Sequence, residues 1–124
     1  MLVLKALAIA AQGGASSGEW VPYMERNGET GYIHMESVKV EREKRIAWQR
    51  VDFAATESDG SITRLYNVRF DCERHTMQLL SYAGISKDGK VMKSPDVQFS
   101  LRPVPKDSPA ETMLSMVCAR SDGR

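Results

Sequence analysis

The sequence predicts an α+β domain: an antiparallel meander sheet of about six strands, with one C-terminal helix packed on one face and tied to it by a disulfide. Asn-Gly or Asp-Gly pairs stand between strand-like runs at Asn27-Gly28, Asp59-Gly60 and Asp88-Gly89, and such pairs favour tight hairpin turns. A central run alternates apolar and polar residues, which is the period of a half-buried strand. The last segment carries helix start signals followed by an apolar stripe at helical spacing.

Length and charge limit the class of protein. The chain has 124 residues, 42% of them hydrophobic and 27% charged, which is ordinary for one globular domain. Lys and Arg number 17 against 16 Asp and Glu, so the formal net charge is +1. Because nucleic acids and anionic membranes require a basic surface, this balance argues against both as partners.

The N-terminal segment differs from the rest of the chain. Residues 1–11 are apolar except for Lys5 and are followed by a run rich in Gly and Ser, as in the later part of a secretory signal peptide. We therefore expect residues 1–18 to be a signal peptide and linker, and residues 19–124 to be a single domain. The alternative is a frayed helical N-terminus. The apolar run is too short to span a bilayer, so we expect no transmembrane segment.

No cysteine follows this apolar run, as a bacterial lipoprotein would need for its lipid. We therefore expect an exported protein, periplasmic or secreted, that is not a lipoprotein.

The first strands are predicted from their residue types and breaks. Trp20–Met24 is a short strand, and Pro22 places it at a sheet edge because proline lacks a backbone donor. Gly31–Val40 begins as a strand and is expected to break between Met35 and Ser37. The mixed charges of Glu41–Arg45 indicate a solvated turn or a strand start.

The central strands follow. Ile46–Thr56 is rich in strand formers, and its alternation slips after Trp48, which predicts a bulge near Gln49 or Arg50. The strand Ile62–Arg74 turns four residues toward the core: Tyr66, Val68, Phe70 and Cys72. After a corner at Arg74-His75, further strands are predicted at Met77–Ile85, Val91–Met92 and Asp96–Val104.

The helix starts at Ser108. Ser108-Pro-Ala-Glu111 is a capping box with proline at the first helical position, so that the serine hydroxyl and the Glu111 carboxylate satisfy free backbone amides. The apolar residues share one face: Ala110, Met113, Leu114, Val117 and Cys118. The helix therefore turns Cys118 toward the core.

Cys72 and Cys118 are the only cysteines. In an oxidising compartment an even number predicts a disulfide, whereas in the cytosol the same residues would be buried thiols. Their separation fits neither a CxxC redox motif nor a zinc site.

Candidate chemical groups are few. His34 and His75 lie in separate segments without metal-ligand spacing, and we interpret them as surface or strand-end histidines, with haem or metal ligation across two chains as the alternative. Asp71 and Glu73, beside Arg69, form either an acid–base pair or, as we favour, a charged ladder on the wet face of the sheet. The larger aromatics suggest either a binding face or core: Trp20, Trp48, Tyr66, Phe70 and Tyr82. No catalytic serine motif or phosphate loop is present, and we expect no enzyme, no catalytic residue and no metal site.

Several segments, in this order, resemble the bacterial surface-adhesin protein E family over about residues 19 to 120. They are Trp20-Val-Pro, Tyr32-Ile33, Ser37-Val38, Trp48, Asp71-Cys72-Glu73-Arg74, Arg102-Pro-Val-Pro-Lys-Asp-Ser-Pro and Met116-Val117-Cys118. The resemblance implies an antiparallel sheet with a disulfide-linked C-terminal helix. It also implies an exported surface protein that binds host matrix proteins and, as a dimer, haem. His34 departs from the Asp often found there in the family.

These observations lead to a hypothesis about function. We expect an exported, non-enzymatic, adhesin-like binding module of the bacterial envelope that contacts a protein partner through the open sheet face or the edge at Trp20–Met24. The first alternative is a periplasmic structural or inhibitor-like protein, and the second is a haem-binding dimer.

Overall fold

The computed structural model describes residues 20–94 and 99–120. The predicted signal peptide and linker at 1–18, and residues 96–98 of the predicted last strand, lie outside the described residues. The strands are β1 (Trp20–Arg26), β2 (Glu29–His34), β3 (Lys39–Glu41), β4 (Lys44–Asp52), β5 (Ser61–Asp71), β6 (Thr76–Ser86), β7 (Val91–Lys93) and β8 (Leu101–Pro103). One helix, α1 (Pro109–Cys118), completes the described elements.

All the strand pairs are antiparallel, and the main path of the sheet runs β1-β2-β4-β5-β6-β7. Two short strands lie off this path, β3 beside β4 and β8 beside β6. The predicted meander of about six strands is confirmed. At the first hairpin both Asn27 and Gly28 have positive φ, 53° and 82°, as the predicted tight turn requires.

The predicted bulge near Gln49 or Arg50 is wrong. β4 pairs with β5 from Lys44 to Asp52 without a shift in register. The alternation is lost because Arg50, Val51 and Asp52 are all buried, on two different faces of the sheet. Register shifts occur instead in β1, between Pro22 and Met24, and twice between β5 and β6.

The hydrophobic core lies between the sheet and α1. Val68 and Phe70 of β5 are at most 1% exposed, as the alternation of the central strand predicts. They pack with residues of two other strands and of the helix: Ile33, Ala47, Met113, Leu114 and Val117. Since each large apolar side chain stabilises the fold by about 1.5–3 kcal/mol when fully buried, this layer helps to hold α1 on the sheet.

Both ends of α1 are fixed, the first by capping hydrogen bonds and the second by a disulfide. At the start, the Glu111 amide donates to Ser108 Oγ at 3.2 Å, while Glu111 Oε1 accepts from the amide of Asp107 at 2.8 Å. The predicted capping box is therefore present, with the return bond made to Asp107. At the other end, Cys118 forms a disulfide with Cys72, with a Cα–Cα distance of 5.9 Å. The predicted disulfide is confirmed, and it ties the end of the helix to the turn after β5.

Candidate functional site

The face of the sheet opposite α1 carries a group of polar and aromatic side chains. We call it the open face, and define it by Tyr32 of β2, Trp48, Arg50 and Asp52 of β4, and Thr63 of β5. Tyr32 pairs with Arg50 in register, and Asp52 pairs with Thr63. Within residues 20–94 and 99–120, α1 is the only helix, and it packs on the other face.

A buried ion pair lies on this face. Arg50 Nε lies 3.0 Å from Asp52 Oδ1, and Arg50 Nη2 lies 2.8 Å from Asp52 Oδ2, so the contact is bidentate. Thr63 Oγ1 donates to Asp52 Oδ1 at 2.9 Å. Both charged residues are buried, with Arg50 only 3% exposed. Because residues i and i+2 of a strand share a face, β4 holds the two groups side by side.

Aromatic rings cover the Arg50 guanidinium. Its central carbon lies 4.9 Å from the centre of the Tyr32 ring and 5.9 Å from that of Trp20. Trp20 in turn meets the His34 ring edge-on, with ring centres 4.9 Å apart. Contacts between a cation and aromatic faces compensate for lost hydration, which explains how a charged pair is buried on a face that the described helix does not cover.

Trp48 is the exposed aromatic residue of the open face. It lies two residues before Arg50 on β4, opposite Asn67 of β5, and is 39% exposed. The exposed large hydrophobic residues in the described part of the chain are Val21, Trp48, Val91 and Leu101, and Trp48 is the only aromatic among them. Tryptophan is enriched among the residues that dominate protein–protein binding energy, so Trp48 is the strongest candidate for a contact residue.

The five aromatics that could have formed one binding face do not do so. Phe70 is fully buried in the core, and Tyr66 and Tyr82 pack against each other on the helix side, with ring centres 6.0 Å apart. Trp20 and Trp48 lie on the opposite side of the sheet. The core interpretation holds for Phe70, and the binding-face interpretation stays a prediction for Trp20 and Trp48.

A groove runs along the edge of the sheet. Tyr23, Met24, Glu25 and Arg26 of β1 form one wall, and residues 107–109, 111 and 112, at the start of α1, form the other. The groove is open to solvent and has a volume of about 510 Å³. β1 pairs only with β2 among the described residues, so its outer side faces this space unpaired. The predicted edge position of Trp20–Met24 is confirmed.

Asp71 and Glu73 are not a ladder on one strand face, because β5 ends at Asp71 and Glu73 lies in the following turn. The buried Asp71 carboxylate accepts from the amides of Glu73 and Arg74 at 3.0 and 2.9 Å, and Lys44 Nζ lies 3.4 Å away. The pKa of Asp71 is held below its usual range, against the effect of burial. The largest cause is the hydrogen bond from the Arg74 amide, and the Glu73 amide and the Lys44 cation act in the same direction. Asp71 therefore organises the turn that carries Cys72.

The two histidines differ in their surroundings. His34 ends β2, is 3% exposed, and its Nδ1 lies 2.7 Å from Ser37 Oγ. His75 lies in the β5–β6 turn with a φ of 57° and is exposed. Of the two rings, only that of His75 is accessible for ligation in this structure, so haem ligation by His34 would require the ring to move. In the described part of the chain, no three His, Cys, Asp or Glu side chains gather as a metal site.

Sequence reasoning missed two arginines. Arg45, in addition to Arg50, is buried on β4, where it binds backbone carbonyls at the end of α1. The Arg-Val-Asp sequence at 50–52 was a usable local signal for an ion pair between neighbours on one strand face. No local signal marks Arg45, whose bonds to the end of α1 reach residues more than 70 positions away.

The comparisons with known proteins agree with this architecture. The sequence profile described as Surface-adhesin protein E matches residues 20–119. One crystal form of Haemophilus influenzae protein E superimposes with a TM-score of 0.65 at 12% identity, covering 83% of this chain and 89% of that one. A second structure of that protein gives a TM-score of 0.63 at 11% identity, with 83% and 86% covered.

A third structure, of protein E from non-typeable Haemophilus influenzae, gives a TM-score of 0.64 at 10% identity and covers 83% of this chain and 77% of that one. No curated protein matches the sequence. Among the described residues, no helix has the length and apolar character required to cross a membrane. With the profile matching most of its length, the chain belongs to the Surface-adhesin protein E family.

Proposed function

We propose that this protein is an exported, non-enzymatic binding module of the bacterial envelope that binds extracellular or envelope proteins in the manner of an adhesin. Membership of a surface-adhesin family supports the export and the binding role. The observation that carries the proposal is the open face, where Trp48 stands exposed beside a preformed and buried Arg50–Asp52 pair.

The open face has the features of a contact surface. An exposed ring next to fixed polar groups supplies apolar area without the entropy cost of ordering a flexible side chain. The Arg50 side chain is already held by Asp52, Tyr32 and Trp20, so binding would not have to immobilise it. Trp48 therefore projects from a rigid base.

The test is binding of the purified protein to a panel of purified extracellular-matrix proteins and to solubilised envelope proteins of the producing bacterium. For a partner found in this way, Trp48→Ala should weaken binding about tenfold or more, as expected for a central tryptophan. Val91→Ala is the matched control, because Val91 is also exposed and apolar but lies on β7, three strands away from β4 at the end of the main path of the sheet. Failure of the wild-type protein to bind any member of the panel would contradict the proposal.

Cell fractionation separates the two locations that this function allows. An adhesin should reach the cell surface or the medium, whereas a strictly periplasmic pool would favour the structural or inhibitor-like alternative. Intact mass of the isolated protein reports removal of residues 1–18, any attached lipid, and the loss of two hydrogens that marks the disulfide.

A further inference from the structure

We propose that the groove between β1 and the start of α1 binds an extended, basic segment of a partner protein by strand addition. This inference rests on the proposed binding function and specifies the chemistry of the partner. It concerns the edge of the sheet, whereas the exposed tryptophan on the open face defines a separate contact.

The first argument is the unpaired edge. An edge strand presents free backbone donors and acceptors that another extended chain can pair with. In β1, Pro22 lacks a donor, and the register shifts between Pro22 and Met24, which interrupts the first half of the edge. From Met24 to Arg26 the pairing with β2 is regular, so this part of the strand is the one able to accept a partner.

The second argument is the wall opposite that edge. The groove is lined by β1 from Tyr23 to Arg26 and by residues 107–109, 111 and 112 at the start of α1, and it is open to solvent, with a volume of about 510 Å³. A chain added to β1 would place alternate side chains on the helix side of the sheet, where this space receives them. Main-chain bonds to the edge with side-chain pockets beside it are the basis of peptide recognition by strand addition.

The third argument is the charge of the groove. The residues that line it include three acidic ones, Glu25, Asp107 and Glu111, and one basic one, Arg26. Glu111 is fixed by its bond to the Asp107 amide at 2.8 Å. The ion pairs of the described residues involve none of these carboxylates. An extended segment with Lys or Arg at alternate positions would be complementary to this wall.

The probe is a fluorescently labelled nonapeptide of alternating Lys and Val, titrated into the full-length protein and followed by fluorescence anisotropy. Two further peptides test the mode of binding. In the first, alternate residues are N-methylated, which removes backbone donors while keeping the charges. The second alternates Glu and Val, which keeps the extended conformation and reverses the charge. We expect binding of the first nonapeptide and loss of at least tenfold in affinity for both of the others.

Protein variants locate the site. Glu25→Gln combined with Asp107→Asn should weaken binding of the Lys-Val peptide about threefold to tenfold, as expected for two exposed charge contacts. Asparagine is chosen at position 107 because Asp107 has a φ of 57°, which asparagine tolerates. Glu36→Gln is the matched control, since Glu36 is exposed in the turn after β2, at the other end of the β1–β2 hairpin, and should leave affinity unchanged.

Four results would overturn the inference. Equal binding of the N-methylated peptide would show contact through side chains alone. Equal binding of the Glu-Val peptide would remove the charge argument. A dimer in light scattering that Met24→Pro converts to monomer would assign the edge to a second copy of the chain. If no peptide binds while a partner is captured through Trp48, this inference fails and the proposed function stands.

Discussion

Arg45 Nε lies 3.2 Å from the carbonyl oxygen of Val117, so a strand residue binds the last turn of a helix 72 residues further along the chain. Arg45 also donates to the carbonyl of Arg120 from Nη2 at 2.8 Å and to that of Arg42 from Nη1 at 2.7 Å. The C-terminal end of a helix carries unpaired carbonyls and partial negative charge, and a guanidinium satisfies both. One buried cation therefore caps α1 and fixes it against β4.

The first prediction concerns this cap. Arg45→Lys should lower the free energy of unfolding by about 1–3 kcal/mol, because a single ammonium cannot reach the same set of carbonyls and leaves some buried without a partner. Urea unfolding followed by circular dichroism measures the change. Arg26→Lys, on the exposed end of β1, is the control and should have little effect. Equal stability of both variants would show that the Arg45 bonds contribute nothing net.

The second prediction concerns the disulfide. The bridge spans 46 residues, and in the chain-entropy model closing a loop of this length stabilises the fold by about 4 kcal/mol. Cys72→Ala combined with Cys118→Ala should lower the melting temperature markedly under oxidising conditions. Reductant should lower the melting temperature of the wild type and leave that of the double variant unchanged. A melting temperature that is lowered neither by the double substitution nor by reductant would contradict the bridge.

The third prediction concerns the ion pair on the open face. Asp52→Asn leaves the Arg50 cation buried without its counter-charge, which should cost about 3–5 kcal/mol of stability. Replacing both residues, as Arg50→Met with Asp52→Leu, should restore most of that loss because no unpaired charge remains. Chemical unfolding of the three proteins measures the effect. A double variant less stable than Asp52→Asn would mean that the pair itself, rather than its balance of charge, holds the face together.

The fourth prediction concerns pH. The pKa of Asp71 is lowered in the folded state, chiefly by the Arg74 amide, so its carboxylate stabilises the fold above the unfolded-state pKa of about 3.9. That contribution is lost as the pH falls through this value toward the lower folded-state pKa. The difference in free energy of unfolding between wild type and Asp71→Asn should therefore shrink as the pH falls from about 5 to about 2. A difference that stays constant across this range in urea unfolding would contradict it.

The fifth prediction concerns Gly31. A Cβ atom built at this position would lie 2.6–2.8 Å from the Tyr23 ring, closer than nonbonded carbon atoms approach. Tyr23 is held by a hydrogen bond from Gln49 and packs on the core, so the ring has little room to move. Gly31→Ala should destabilise the fold by about 1–3 kcal/mol. In a Tyr23→Ala background, Gly31→Ala should cost less stability than it does in the wild type, because the ring that the new Cβ would meet is gone. If the two substitutions have additive effects on the free energy of unfolding, the clash is contradicted.

Local features made most of the sheet predictable. Asn27-Gly28 requires positive φ at both residues, and the alternation from Tyr66 to Phe70 follows from one buried face. The bulge near Gln49 failed as a prediction because alternation assumes one wet face, whereas Arg50 and Asp52 are buried on the second face. This burial depends on Trp20 and Tyr32, which reach Arg50 only through strand pairing.

The candidate surface was predicted less completely than the fold. The edge position of β1 followed from Pro22, a property of one residue. The groove beside it requires the start of α1 to lie against β1, a contact between segments more than 80 residues apart. No periodicity or turn residue specifies where a helix crosses a sheet. The charged residues of β1 and of the start of α1 therefore could not be assigned to one groove from the sequence.

The disulfide also determines how the domain responds to a mechanical load. In the proposed adhesive role the bound protein would be pulled, and tension between Trp20 and Arg120 would act on an edge strand at one end and on the bridged helix end at the other. Among the described strands β1 pairs only with β2, so it would separate before the central strands, whereas the Cys72–Cys118 bond transfers the force directly to the end of β5. The cysteines are 46 positions apart, and the chain between them, roughly 150 Å when extended, would be shielded from stretching. Unfolding under force should therefore begin at the N-terminal hairpin and release a shortened length of chain.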